Sequence, residues 1–167
     1  QETFHYYSQR FNLKEKPEVL LQKKMQLYMK LLKKKIKPCP GFKDFAKQCK
    51  QKFKVGLVTS SSKESVAFII KELEIKHLFD AIVTGEEVNL PKPYPDPYLK
   101  MAEKLHLKAN QCLVIEDTIH GITAAKTAGA KCIAVSTTFP KKKLKETSAD
   151  HIVPSLRKLH VDFIKKM

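Results

Sequence analysis

Apolar positions along the chain follow two different periods. Between residues 17 and 35, Leu21, Met25, Tyr28 and Leu32 recur at spacings of four, three and four. That period puts them on one face of a helix. Pro17 suits the first helical turn, where a missing N–H costs nothing. Lys33, Lys34, Lys35 and Lys37 gather positive charge at the carboxyl end, where the helix dipole favours it. Pro38 and Pro40-Gly41 then stop the element. The apolar face of this basic helix is expected to pack on its own domain rather than on a membrane or a partner.

Beyond Gly41 the pattern becomes short apolar runs between helical segments. Residues 42–51 read as a helix. Residues 55–59 are short, apolar and rich in β-branched side chains, hence a strand. Residues 63–73 are helical, with Val66, Ile69, Ile70 and Leu73 apolar. Strands are expected at 81–84, 113–115, 133–135 and, shorter, at Ile152-Val153. Helices are expected at 96–105, at 119–128 ending on Gly129, and after Pro154. Apolar strands separated by helices predict an α/β fold with a mainly parallel sheet covered on both faces.

Composition narrows this picture. A chain of 167 residues is one domain, or one domain with a small appendage, and 43% apolar content sustains a core. No run of 18 apolar residues is present, so no membrane-spanning helix is expected. Residues 1–10 lack the basic start and apolar stretch of a signal peptide. The chain begins with Gln1 rather than methionine, which fits a processed, trimmed or fragmentary product. Cys39, Cys49, Cys112 and Cys132 form no CxxC pair, and Cys112 and Cys132 lie in apolar runs. Buried free thiols and a reducing, cytoplasmic compartment are expected.

The net charge of +15 raises a nucleic-acid hypothesis. Arginine, the residue suited to bidentate phosphate and base contacts, occurs only at Arg10 and Arg157; all other basic residues are lysines. Dense clusters occur only at residues 33–35 and 141–143. The lysines therefore read as solvated faces that also attract anionic substrates, and no specific nucleic acid is expected.

Three polar clusters fall at or after the carboxyl ends of expected strands, where open parallel sheets bind ligands. The first is Thr59-Ser60-Ser61-Ser62-Lys63. Hydroxyls and N–H groups at a helix start suit a phosphate, and equally suit ordinary capping by Ser61 or Ser62. The second is Pro91-Lys92-Pro93-Tyr94-Pro95-Asp96. Its prolines stiffen a loop that can hold one ammonium in place; alone, it reads as a rigid connector. The third is Ile115-Glu116-Asp117-Thr118. Adjacent carboxylates at the end of a buried strand call for a cation, and hard oxygen ligands suit magnesium. The plainer alternative is that Asp117 or Thr118 caps the next helix. Gly121, Ala124, Ala125, Ala128 and Gly129 suit close helix–sheet packing.

The order and spacing of these clusters resemble the second, third and fourth motifs of the haloacid dehalogenase (HAD) superfamily. Residues 114–130 and the Lys92 loop are most similar to its β-phosphoglucomutase-like branch, except that Pro91 stands where the branch usually has glycine. The resemblance implies a Rossmann-like three-layer parallel sheet. It implies that Ser60 and the Ser61 backbone bind the transferring phosphoryl group. It also implies that Lys92 neutralises charge and that Glu116 and Asp117 hold Mg2+. The family's first motif, two aspartates separated by one residue, does not occur: the aspartates are Asp44, Asp80, Asp96, Asp117, Asp150 and Asp162.

Residues 1–36 are accordingly expected to be part of a helical cap, and residues 37–167 the core without its central first strand. Residues 3–7 have β propensity but lack the continuous apolar character of a buried strand, so a gap is expected between the strands at 55–59 and 113–115. The function implied is a magnesium-dependent phosphatase or phosphomutase on a small phosphorylated metabolite. As given, the chain is expected to be incomplete and inactive, with a missing amino-terminal segment as partner. The alternatives are a non-catalytic phosphate- or metal-binding relic and a basic nucleic-acid-associated protein.

Overall fold

A computed structural model describes residues 2–167. The chain forms two compact units, Gln1–Lys37 and Pro38–Met167. The first is a pair of helices in contact, α1 (Glu2–Arg10) and α2 (Pro17–Lys35). Helix α2 begins at Pro17 and ends before Pro38, as its period and prolines predict. Leu21, Met25 and Leu32 are half-buried, whereas Tyr28 is exposed and Met29 takes its place on the covered side. Helix α1 runs through residues 3–7, so that segment is not a strand.

The second unit contains α3 (Phe42–Lys50), β1 (Gly56–Val58), α4 (Lys63–Glu72), β2 (Ala81–Val83), α5 (Asp96–Lys104) and β3 (Leu113–Glu116). It continues with α6 (Ile119–Thr127), β4 (Lys131–Val135), α7 (Lys141–Leu144), β5 (His151–Val153) and α8 (Val161–Lys165). Every strand pairing is parallel, as expected for strands joined through helices. Gly129 ends α6 with φ of 85°, a left-handed conformation that glycine adopts without a Cβ penalty.

The strands form two sheets, one ordered β1-β2 and the other β3-β4-β5. Among the described residues β1 and β3 do not pair and belong to separate sheets, β3 at the edge of its own. The expected gap is thus present in the hydrogen-bonding pattern. Both strands retain an edge with backbone groups that find no partner strand.

Side-chain alternation divides the core. Leu113 and Ile115 face one side with Ile133, Val153, Phe45 and Leu159. Val114 faces the other, with Tyr98, Ile122, Ala124, Ala125 and Ala134. Alanines on α6 let that helix lie close to the sheet. Leu57 and Ile82 pack with Val66, Ile70 and Leu78, while Val83 packs with Met101 and Leu105. Cys132 is fully buried and Cys49 buried, Cys112 is half-buried and Cys39 exposed, all as free thiols. No described helix is long and apolar enough to cross a membrane.

Candidate functional site

Glu116 is the last residue of β3 and shares the parity of Val114. In a strand that parity sends its side chain to the α5–α6 side of the sheet. Only 8% of the residue remains accessible, and a carboxylate buried so far must be paired. Five donors converge on it. Oε2 accepts from the Asp117 N–H at 2.9 Å, the Thr118 N–H at 3.0 Å and the Thr118 hydroxyl at 2.9 Å. Oε1 accepts from the Tyr98 hydroxyl at 2.9 Å and from the Lys92 ammonium.

Lys92 reaches this carboxylate from the proline-rich loop before α5, and its peptide bond to Pro93 is cis. Its ammonium forms an ion pair with Glu116 and lies 5.1 Å from the centroid of the Tyr98 ring. Burial pushes the Glu116 carboxyl up. The charge and hydrogen bond of Lys92, with hydrogen bonds from Thr118 and Tyr98, outweigh that and hold it below its ordinary value. Burial, and then the adjacent Glu116 charge, push the Tyr98 phenol up, so it stays a donor.

Helix α6 makes room for this arrangement at Gly121. A Cβ there would lie 2.1 Å from Glu116 Cδ and Oε1 and 2.4 Å from Oε2. Thr118 caps the same helix by accepting from the Gly121 N–H at 3.0 Å. Of the two capping alternatives, Thr118 is therefore the cap and Asp117 is not. The Asp117 carboxylate instead accepts from the Thr137 hydroxyl at 3.2 Å and from the Thr138 hydroxyl, both on Oδ2. These threonines follow β4, so Asp117 is tied to the neighbouring strand end.

The serine cluster follows β1. Ser62 caps α4 by accepting from the Ser65 N–H at 3.3 Å. The Ser61 N–H, expected to face a phosphoryl group, donates to Thr59 Oγ1 at 3.1 Å, and the Lys63 N–H donates to Glu86 at 3.3 Å. Ser60 is exposed, and its hydroxyl takes no part in these bonds. Its carbonyl lies against Gly85, where a Cβ would come within 2.6 Å, so the turns after β1 and β2 are in close contact. The structure therefore brings Lys92 and Glu116 into contact, with Asp117 beside them. Ser60 and Ser61 sit at the end of another strand, and no described hydrogen bond links them to that group.

A magnesium ion needs open oxygen ligands, and it is commonly held by one or two carboxylates together with water and phosphate oxygens. A carboxylate offers about four lone-pair sites, and those of Glu116 are filled by donors. Asp117 keeps Oδ1 outside its two hydrogen bonds. The residues thus fit magnesium through Asp117, with the rest of the shell from outside. Among the described residues no group of three or more His, Cys, Asp or Glu is placed to hold a metal.

Three residues of this neighbourhood are not among the candidates named from the sequence: Tyr98, Thr137 and Thr138. The two threonines follow the apolar β4 and are a polar cluster at a strand end, the same signal that marks the other clusters. Nothing local marks Tyr98, whose partner is 18 positions away. A cavity of about 330 Å³ lined by Lys131, Asp150, His151, Phe163, Lys166 and Met167 lies at the amino ends of β4 and β5, the opposite end of the sheet from Glu116.

The sequence profile of the haloacid dehalogenase-like hydrolases matches residues 1–135. Over 130 residues the chain is 37% identical to a bifunctional riboflavin kinase/FMN phosphatase of Arabidopsis thaliana, covering 77% of this chain and 34% of that protein. It is 32% identical over 133 residues to the putative phosphatase YhcW of Bacillus subtilis, covering 79% of this chain and 60% of that one. The chain thus spans less than two thirds of each. A putative β-phosphoglucomutase structure from Thermotoga maritima superimposes with a TM-score of 0.82 at 24% identity, over 99% of this chain and 77% of that one. A family IA HAD hydrolase from Entamoeba histolytica gives 0.80 at 26% identity, over 93% and 74%.

Proposed function

The chain belongs to the haloacid dehalogenase-like hydrolases, and from that premise we propose that it serves a phosphatase or phosphomutase acting on a small phosphorylated metabolite. The observation that carries this reading is the ion pair of half-buried Lys92 with buried Glu116 at the carboxyl end of β3, with Asp117 next to it. An ammonium held on a stiff loop at a strand end gives a phosphoryl group a fixed positive charge at low entropic cost. Relatives whose names record FMN phosphatase and pyrophosphatase activity support the same class of substrate.

In this reading Lys92 neutralises the phosphoryl oxygens and Ser60 contributes a hydroxyl from the end of β1, with the Ser61 turn supporting it. Glu116 holds Lys92, and Asp117 offers the carboxylate oxygen for magnesium. A bound magnesium ion would supply further charge neutralisation at the phosphoryl group. The residues as given contain no pair of aspartates separated by one position, so binding and orientation are assigned to this chain and covalent transfer is not. Residues 1–36 and 37–167 are proposed as a partial helical cap and the core.

The test is calorimetric titration with inorganic phosphate, with and without magnesium. Lys92→Ala is expected to abolish measurable phosphate binding, and Asp117→Ala to remove the magnesium dependence. Phosphate affinity indifferent to both substitutions would refute the site. The second reading, a phosphate- and metal-binding module without catalysis, is favoured by the absence of an aspartate pair. Hydrolysis assays on the purified chain distinguish the two.

A further inference from the structure

We propose that Tyr98 is a positioning residue of this site, setting the place of the Lys92 ammonium through the carboxylate of Glu116. The inference rests on the reading of Lys92 as the phosphate-facing cation. Three donors from one short stretch, Asp117 N, Thr118 N and Thr118 Oγ1, hold Oε2 to the end of β3. They fix one end of the carboxylate but leave it free to pivot about that oxygen. The Tyr98 hydroxyl, from a different element, holds Oε1 at 2.9 Å and removes the pivot.

Oε1 then presents one remaining acceptor direction, and Lys92 occupies it. The Tyr98 ring lies 5.1 Å from the same ammonium, within the range in which a ring face attracts a cation. Tyr98 thus meets Lys92 twice, once through the shared oxygen and once through its ring. Its own place is secured by burial, with 7% of the residue accessible in the cluster of Val114, Ile122 and Ala124. Helix α5 also packs on both β1 and β2. Tyr98 therefore refers the position of the ammonium to the body of the domain and not only to its own flexible stem.

Tyr98→Phe tests this, because it keeps the ring and removes only the hydroxyl. Two measurements on the full chain are paired: the 15N–1H NMR signal of the Lys92 ammonium, and titration with inorganic phosphate alongside Lys92→Ala. Removing a hydrogen bond to a charged group shifts the equilibrium it supports by roughly 10- to 150-fold. Because the ring and ion pair remain, the expected loss of phosphate affinity is at the low end, about tenfold. The Lys92 ammonium signal expected for the wild type should also broaden or vanish. An unchanged Lys92 signal in Tyr98→Phe overturns the inference, whatever phosphate does. Unchanged phosphate affinity in Tyr98→Phe, where Lys92→Ala abolishes it, also overturns it. If Lys92→Ala leaves phosphate binding intact, the functional reading fails, while the Lys92 signal still decides the role of Tyr98.

Discussion

Gly121→Ala sets two physical effects of opposite sign against each other. Helix propensity alone makes alanine better than glycine inside a helix by about 1 kcal/mol. The structure places the new Cβ 2.1 Å from the Glu116 carboxylate, a distance no pair of non-bonded atoms tolerates. Glu116 has a flexible stem and can swing away, but only by giving up its five donors. Lys92 and Tyr98 would then be left without their acceptor in a site where their partner is 92% covered, given its 8% accessibility. Breaking a buried ion pair costs about 3–5 kcal/mol, so the net expectation is destabilisation by about 2–4 kcal/mol.

For a chain of this size each kcal/mol moves the melting temperature by about 2–4 °C, giving a drop of roughly 4–16 °C. Thermal and urea unfolding of wild type, Gly121→Ala, Glu116→Ala and the double variant complete a cycle. In the Glu116→Ala background the clash is gone, and Gly121→Ala should be neutral or stabilising by up to about 1 kcal/mol. A Gly121→Ala protein as stable as wild type, or one equally destabilised in both backgrounds, would refute the reasoning.

Other consequences are open to direct measurement. Lys92→Ala should weaken phosphate binding at least tenfold more than Lys141→Ala, since a fixed, half-buried charge outweighs an exposed one; equal effects would mean non-specific attraction. Because the Glu116 carboxyl is held low, its contribution to stability is present above the ordinary carboxylate range and is lost as pH falls through the depressed folded value. The pH dependence of urea unfolding should therefore flatten on the acid side in Glu116→Gln, relative to wild type. Asp80, Glu87 and Asp150 share the direction and remain in both proteins, so the difference isolates Glu116. Purified chain should show no magnesium-dependent phosphatase turnover; robust hydrolysis abolished by Asp117→Ala would require a nucleophile outside the proposed scheme. In hydrogen exchange, the amides of β4, paired on both sides, should be the slowest of the five strands, with β1 and β3 faster. Uniform protection would contradict the gap.

Much of the architecture was legible in the chain. The boundaries of α2, α4 and α6 fall within a residue or so of those the apolar periods, prolines and Gly129 indicate. The strands at β1, β2 and β3 are where short β-branched runs place them. Helix α1 lies within the stretch expected to be part of a helical cap, but no apolar period marks it: its aromatic residues have strand propensity, and α2 is the element it packs against. The short α7, built largely of lysines, has no apolar period, and only Leu144, fully buried, ties it to the core.

The acidic pair shows where local reading stops. Sequence by itself determined that Glu116 and Asp117 would end a buried strand beside a small-residue helix, because strand parity, apolar runs and alanine spacing are local properties. Only the tertiary structure decided that the two carboxylates differ. Glu116 turns inward to Lys92 and Tyr98, 24 and 18 positions away, and Asp117 turns to Thr137 and Thr138 on the next strand end. The order of strands, the unpaired edges of β1 and β3, and the empty space that Gly121 leaves for a carboxylate are likewise relations between distant segments. A local sequence carries the propensity of each segment, but which donor fills a given lone pair is settled only when packing brings remote side chains within about 3 Å.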